Sequence, residues 1–118
     1  MAPEHRYMIA FLAASLKDAK TYTHVYDHDG GREIAVGGVV RPDRVEVIEG
    51  HTGARIEGEP QSLFHWGSNS YIQLSVAGDG FSGYDYGSEA HFRGVFQAEG
   101  AVQVFDHQTG RYHAFHVS

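Results

Sequence analysis

From Thr21 onward the chain repeats itself, and this repeat limits the available folds more than any other feature. Five ten-residue segments align without gaps, starting at Val25, Val47, Leu63, Gly83 and Val104. Their second column holds Tyr26, Ile48, Phe64, Tyr84 and Phe105. The third is acidic in four of the five copies, as Asp27, Glu49, Asp85 and Asp106. The seventh is Gly or Asn in four of five, with Glu89 the exception. Second-column residues stand 22, 16, 20 and 21 positions apart, a spacing that suits one supersecondary unit per copy. A three-residue hairpin loop commonly ends in a left-handed residue, a conformation that Gly and Asn adopt cheaply. Each copy therefore reads as a β-hairpin. That loop sets the second column opposite the tenth, where Ile34, Ile56, Ile72 and Phe92 lie, and predicts one apolar face. It also sets the third column opposite the ninth, with Glu49 facing Arg55 and Asp85 facing His91.

The links between copies are turn-like as well: Arg41-Pro42-Asp43, Gly58-Glu59-Pro60, Gly78-Asp79-Gly80 and Ala98-Glu99-Gly100. The reading is mainly β, an antiparallel up-and-down meander of about ten strands. Such a sheet left flat would expose two edges, so it is expected to close into a barrel or curl strongly. Before the repeat, residues 3 to 18 read as a helix, with Pro3 and Glu4 suited to its start and Lys17 to its end. Tyr7, Met8, Ile9, Phe11, Leu12 and Leu16, with alanines between, cover nearly its whole circumference. A helix apolar all round must be buried on several sides, so this one is expected to pack in or against the barrel. Residues 1–118 form one domain, with the helix in 1–20 and the five hairpins in 21–118.

The segment from Gly83 to Gly94, Gly-Tyr-Asp-Tyr-Gly-Ser-Glu-Ala-His-Phe-Arg-Gly, resembles repeats of small uncharacterised bacterial proteins. Those carry several Y-D-Y-x-S-G-x-H-F-x-G hairpins behind a short helix. The resemblance spans residues 21–118 and is closest in the fourth and fifth copies. The second and third depart from it at Gly50 and His65. It implies a hairpin-repeat fold and a bacterial origin, and it brings no activity with it.

Composition removes several function classes. The formal charge is −6 and the nine Lys and Arg residues are scattered, which opposes nucleic-acid binding through a basic face. There is no cysteine, so disulfides and thiolate metal sites are excluded. The apolar run from Tyr7 to Leu16 is too short to span a bilayer. Glu4 weakens a positive leader, and Ala13-Ala14-Ser15 makes a poor cleavage site, so the segment reads as structural and favours a cytoplasmic location. Nine histidines, all protonated, would carry the charge from −6 to +3.

Several groups of residues are candidates for chemistry. If the first and last strands pair, His24 and His28 share a face near His113 or His116, and neutral imidazoles so placed bind zinc, nickel or copper. His113 and His116 point to opposite faces, so only one joins the set; His107 shares a column with His28. The acidic column offers carboxylates for glycan chemistry, although residues that recur with a fold usually serve the fold. Asp27-His28-Asp29-Gly30 lacks the later ligands and the helices of a calcium loop and reads as a turn. Trp66 and Tyr86 sit beside the hairpin tips, where a ring offers rigid contact area, while the second column is expected in the core. There is no G-x-S-x-G, and the serines lie mostly in turns without a nearby oriented His–acid pair. The leading expectation is a non-enzymatic binding or interaction module, with a protein or glycan partner or a second copy of itself. The alternatives are a histidine metal site and a glycan-acting enzyme.

Overall fold

The computed structural model describes all residues, 1–118. It contains one helix, α1 (Pro3–Lys17), followed by ten strands. These are β1 (His24–Asp27), β2 (Arg32–Arg41), β3 (Arg44–Glu49), β4 (Arg55–Glu59), β5 (Ser62–His65), β6 (Ser70–Ala77), β7 (Gly80–Asp85), β8 (Ala90–Phe96), β9 (Ala101–Asp106) and β10 (Arg111–Val117). Each strand pairs antiparallel with the next, and β1 pairs with β10 through Val25–Val117, Tyr26–His116 and Asp27–Phe115. The barrel is closed, which leaves no free edge.

The helix fills the barrel. His5 and every residue from Tyr7 to Ser15 are buried, as an apolar circumference requires. The staves supply Val25, Ile34, Val47, Ile56, Leu63, Ile72, Val104 and Phe115 to the same core. Two glycines make room for large rings on the neighbouring stave: Gly83 faces Phe92, and Gly94 faces Phe81. A methyl group on Gly94 would sit 2.0 Å from Phe81 Cζ, and one on Gly83 would sit 2.5 Å from Phe92 Cζ. Pairing large with small residues in this way fills a curved interior without overpacking.

The hairpin register differs by one residue from the expected one. The first column, not the second, faces the tenth: Val25–Ile34, Val47–Ile56, Leu63–Ile72 and Gly83–Phe92. The second faces the ninth, as in Tyr26–Glu33, Ile48–Arg55 and Tyr84–His91. The slip turns over the first strand of each hairpin while the tenth column stays in the core, so the second column lies on the outside and the third on the inside. The turn has four residues rather than three, because the third-column side chain caps it from within. Its last residue is left-handed in all five copies, at Gly31 (φ 63), Gly53 (φ 78), Asn69 (φ 51), Glu89 (φ 54) and Gly110 (φ 70).

Candidate functional site

The hairpin tips gather at one mouth of the barrel, and the third column forms a buried polar ring there. Asp27 Oδ1 accepts from the amides of Asp29 (3.1 Å) and Gly30 (3.3 Å). Asp85 Oδ1 accepts from the Gly87 amide at 3.0 Å, and Asp106 Oδ1 from the Gln108 amide at 2.9 Å. Glu49 Oε1 accepts from both the amide and the hydroxyl of Thr52. Each carboxylate thus closes its own turn, as short acidic side chains do.

The second oxygen of three of these acids is taken by the first turns of α1. His5 Nδ1 lies 2.9 Å from Asp85 Oδ2, Arg6 Nη1 donates to Asp106 Oδ2 at 3.0 Å, and the Tyr7 hydroxyl donates to Glu49 Oε2. Three consecutive residues therefore read three different hairpins. Burial alone would raise each carboxyl, but these bonds outweigh it and hold Glu49, Asp85 and Asp106 below the ordinary carboxylate range. Burial, reinforced by the Glu49 bond, pushes the Tyr7 phenol up. Three of the four members of the acidic column are thereby occupied in holding the helix.

The third copy breaks the pattern, with His65 in the acidic seat. Its Nδ1 accepts from the Ser68 amide at 3.1 Å, which leaves the hydrogen on Nε2, a buried atom with no partner. Burial, together with His5, whose ring centroid is 4.4 Å away, lowers the His65 pKa. His5 uses both nitrogens: Nδ1 meets Asp85, and Nε2 lies 2.9 Å from Ser68 Oγ. Ser68 is exposed and lines a cleft of about 430 Å³ with Glu4, Thr52, Arg55, His65 and Trp66. A serine in a turn does therefore meet an oriented His–acid pair, contrary to the sequence expectation. No linear motif announces it, because the partners lie 63 and 80 positions apart. The larger recess, about 720 Å³, lies at the other mouth around Leu16, Pro42, Pro60 and Leu74, away from this polar cluster.

Outside the same mouth runs an aromatic belt made by the register. Phe64 packs edge-on against Trp66 (4.8 Å between centroids) and Tyr71 (5.0 Å). Tyr84 does the same with Tyr86 and His91, both at 4.7 Å, and Phe105 with His107 and Tyr112. The Tyr86 amide donates to the Tyr71 carbonyl at 3.0 Å, which joins the third and fourth hairpins. Trp66, Tyr71 and Tyr86 are 52%, 50% and 56% exposed, and Trp66 Nε1 donates to Glu57 Oε1 at 2.9 Å. The expected core position of the second column is therefore corrected, whereas Trp66 and Tyr86 do stand open at the tips.

The four histidines of the seam do not converge. His113 points inward, where Nδ1 meets Asp29 Oδ2 and Nε2 lies 2.8 Å from Thr109 Oγ1. His24, His28 and His116 lie on the outer face around Tyr26; His24 Nδ1 bonds Thr23 Oγ1 at 2.8 Å and His28 packs on the Tyr26 edge. No three His, Asp or Glu side chains form a group able to hold a metal ion, and strand alternation sets His113 on the inner face, apart from the other three. No helix is long and apolar enough to cross a membrane. In fold class this is a small closed β-barrel threaded by a buried helix. Among known proteins the chain matches no family model, no curated protein and no solved structure.

Proposed function

We propose that this protein is a binding module that captures an oligosaccharide on the outer aromatic belt, centred on Trp66, Tyr71 and Tyr86. One observation carries the reading: Trp66, Tyr71 and Tyr86 stand about half exposed side by side, backed by the second-column rings Phe64 and Tyr84. The register turns those two rings outward, where an apolar core would have been their ordinary place. Edge-on packing against Phe64 and Tyr84 fixes the rings, so little side-chain entropy is lost when a ligand stacks on them. Glu57 and Arg55 stand beside Trp66 and supply the polar contacts that sugar hydroxyls need.

Trp66 is the only tryptophan, so its fluorescence reports on the site directly. Titration with neutral, acidic and amino-sugar oligosaccharides is expected to give a saturable change with at least one class. Tyr71→Ala with Tyr86→Ala should weaken that response about tenfold or more, given that each stacked ring contributes about 0.5–1.5 kcal/mol beyond its buried area. A flat response across all three classes would refute the glycan reading.

A further inference from the structure

We propose that Ser68, His5 and Asp85 form an acyl-transfer centre that hydrolyses small carboxylic esters in the cleft beside Trp66. The proposal is independent of what the aromatic belt binds. Its basis is a continuous chain of hydrogen bonds: Asp85 Oδ2 to His5 Nδ1 at 2.9 Å, and His5 Nε2 to Ser68 Oγ at 2.9 Å. The Gly87 amide and the Ser88 hydroxyl hold Asp85 as a carboxylate. That carboxylate fixes the hydrogen on His5 Nδ1 and leaves Nε2 to accept from the serine, the relation a serine nucleophile requires. Ser68 Oγ also lies 2.7 Å from the Ser70 hydroxyl and 3.1 Å from His65 Nδ1, which already accepts from the Ser68 amide.

A purely structural role explains less of this geometry. Arg6 bonds one ring carboxylate and the Met1 carbonyl, and Tyr7 bonds one carboxylate. His5 instead continues to a hydroxyl on a different hairpin, that of Ser68, an exposed residue that lines the cleft. The departure of the third copy makes this arrangement. His65 replaces the acid, its Nδ1 holds the Ser68 amide, and Ser68 Oγ is set over His5. The residue before the serine must be Gly67, because a methyl group there would lie 2.9 Å from His65 Cε1 and 3.0 Å from Ala54 Cβ.

In the reaction, Ser68 Oγ attacks the ester carbonyl carbon as its proton passes to His5 Nε2. The tetrahedral adduct then breaks its bond to the alkoxy group, which leaves with that proton as an alcohol. Water attacks the acyl-serine with His5 again as base, releasing the carboxylic acid and restoring Ser68. Ser68 and His5 are the catalytic residues, and Asp85 is a positioning residue.

The test is to treat the full chain with diisopropyl fluorophosphate and map the adduct by mass spectrometry, alongside hydrolysis of p-nitrophenyl acetate. The expected result is phosphorylation of Ser68 and an ester rate that falls about 100-fold or more in Ser68→Ala. Asp85→Asn, which keeps the shape of the side chain, should lower kcat with KM unchanged. Absence of an adduct on the folded wild-type chain, an adduct confined to other residues, or equal rates in wild type and Ser68→Ala would each overturn the proposal. The adduct map needs no variant, so it decides the matter even if Ser68→Ala folds poorly.

Discussion

Replacing Tyr7 with Phe tests how the helix is held in the barrel. The ring is buried against the core, and Phe preserves it, so the change removes only the hydroxyl that donates to Glu49. Glu49 is fully buried and keeps the Thr52 amide and hydroxyl on its other oxygen. The loss is therefore one hydrogen bond to a charged acceptor, worth about 1.5–3 kcal/mol. For a chain of this size that corresponds to a fall in Tm of roughly 5–12 °C. The pH dependence supplies a second signature. Burial works to raise the Glu49 carboxyl, but Thr52 and Tyr7 together depress it below its ordinary value of 4.5. A depressed carboxyl stabilises the fold above its unfolded pKa, and that contribution is lost as pH falls through the folded pKa. The deficit of Tyr7→Phe should thus be full above about pH 4.5 and shrink below it. Urea unfolding followed by circular dichroism, repeated across this range, reads both effects. Equal stability of the two chains at neutral pH, or a deficit that does not change with pH, would refute the claim that Tyr7 locks to an ionised Glu49.

Two further outcomes follow from the same structure. Gly94→Ala places a methyl group 2.0 Å from Phe81 Cζ and should destabilise by about 1–3 kcal/mol through overpacking; calorimetry against wild type checks it, and Phe81→Leu should recover part of the loss. His65 is buried with a lowered pKa, first from burial and then from His5. The unfolded chain binds that proton more readily, so stability is full above about pH 6.5 and falls as the pH drops below it. Melting curves of wild type and His65→Asn across this interval should show the steeper loss in wild type.

The sequence made the architecture legible and misplaced its faces. Glycine at the seventh column, the paired turns and the all-round apolar helix were sufficient for ten strands closing on a buried helix, because each is a local signal of backbone geometry or burial. The register was not local. Whether a glycine closes a three- or a four-residue turn depends on whether the third-column side chain folds inward to cap it, and periodicity alone does not distinguish these cases. One residue of error then moved Tyr84 and Phe105 from outside to inside. His5 escaped notice for a related reason: on a helix apolar all round, nothing in its neighbours marks the carboxylate and the hydroxyl that reach it from distant hairpins. Trp66 and Tyr86 were legible because a fourth-column residue sits at the tip in either register.

The register itself is the central claim, since it places the acids inside to hold the helix and the rings outside to form the belt. Cross-strand nuclear Overhauser contacts between backbone protons measure it directly. The account predicts contacts between Val47 and Ile56 and between Tyr84 and His91. Contacts of Ile48 with Ile56 and of Tyr84 with Phe92 in their place would contradict it.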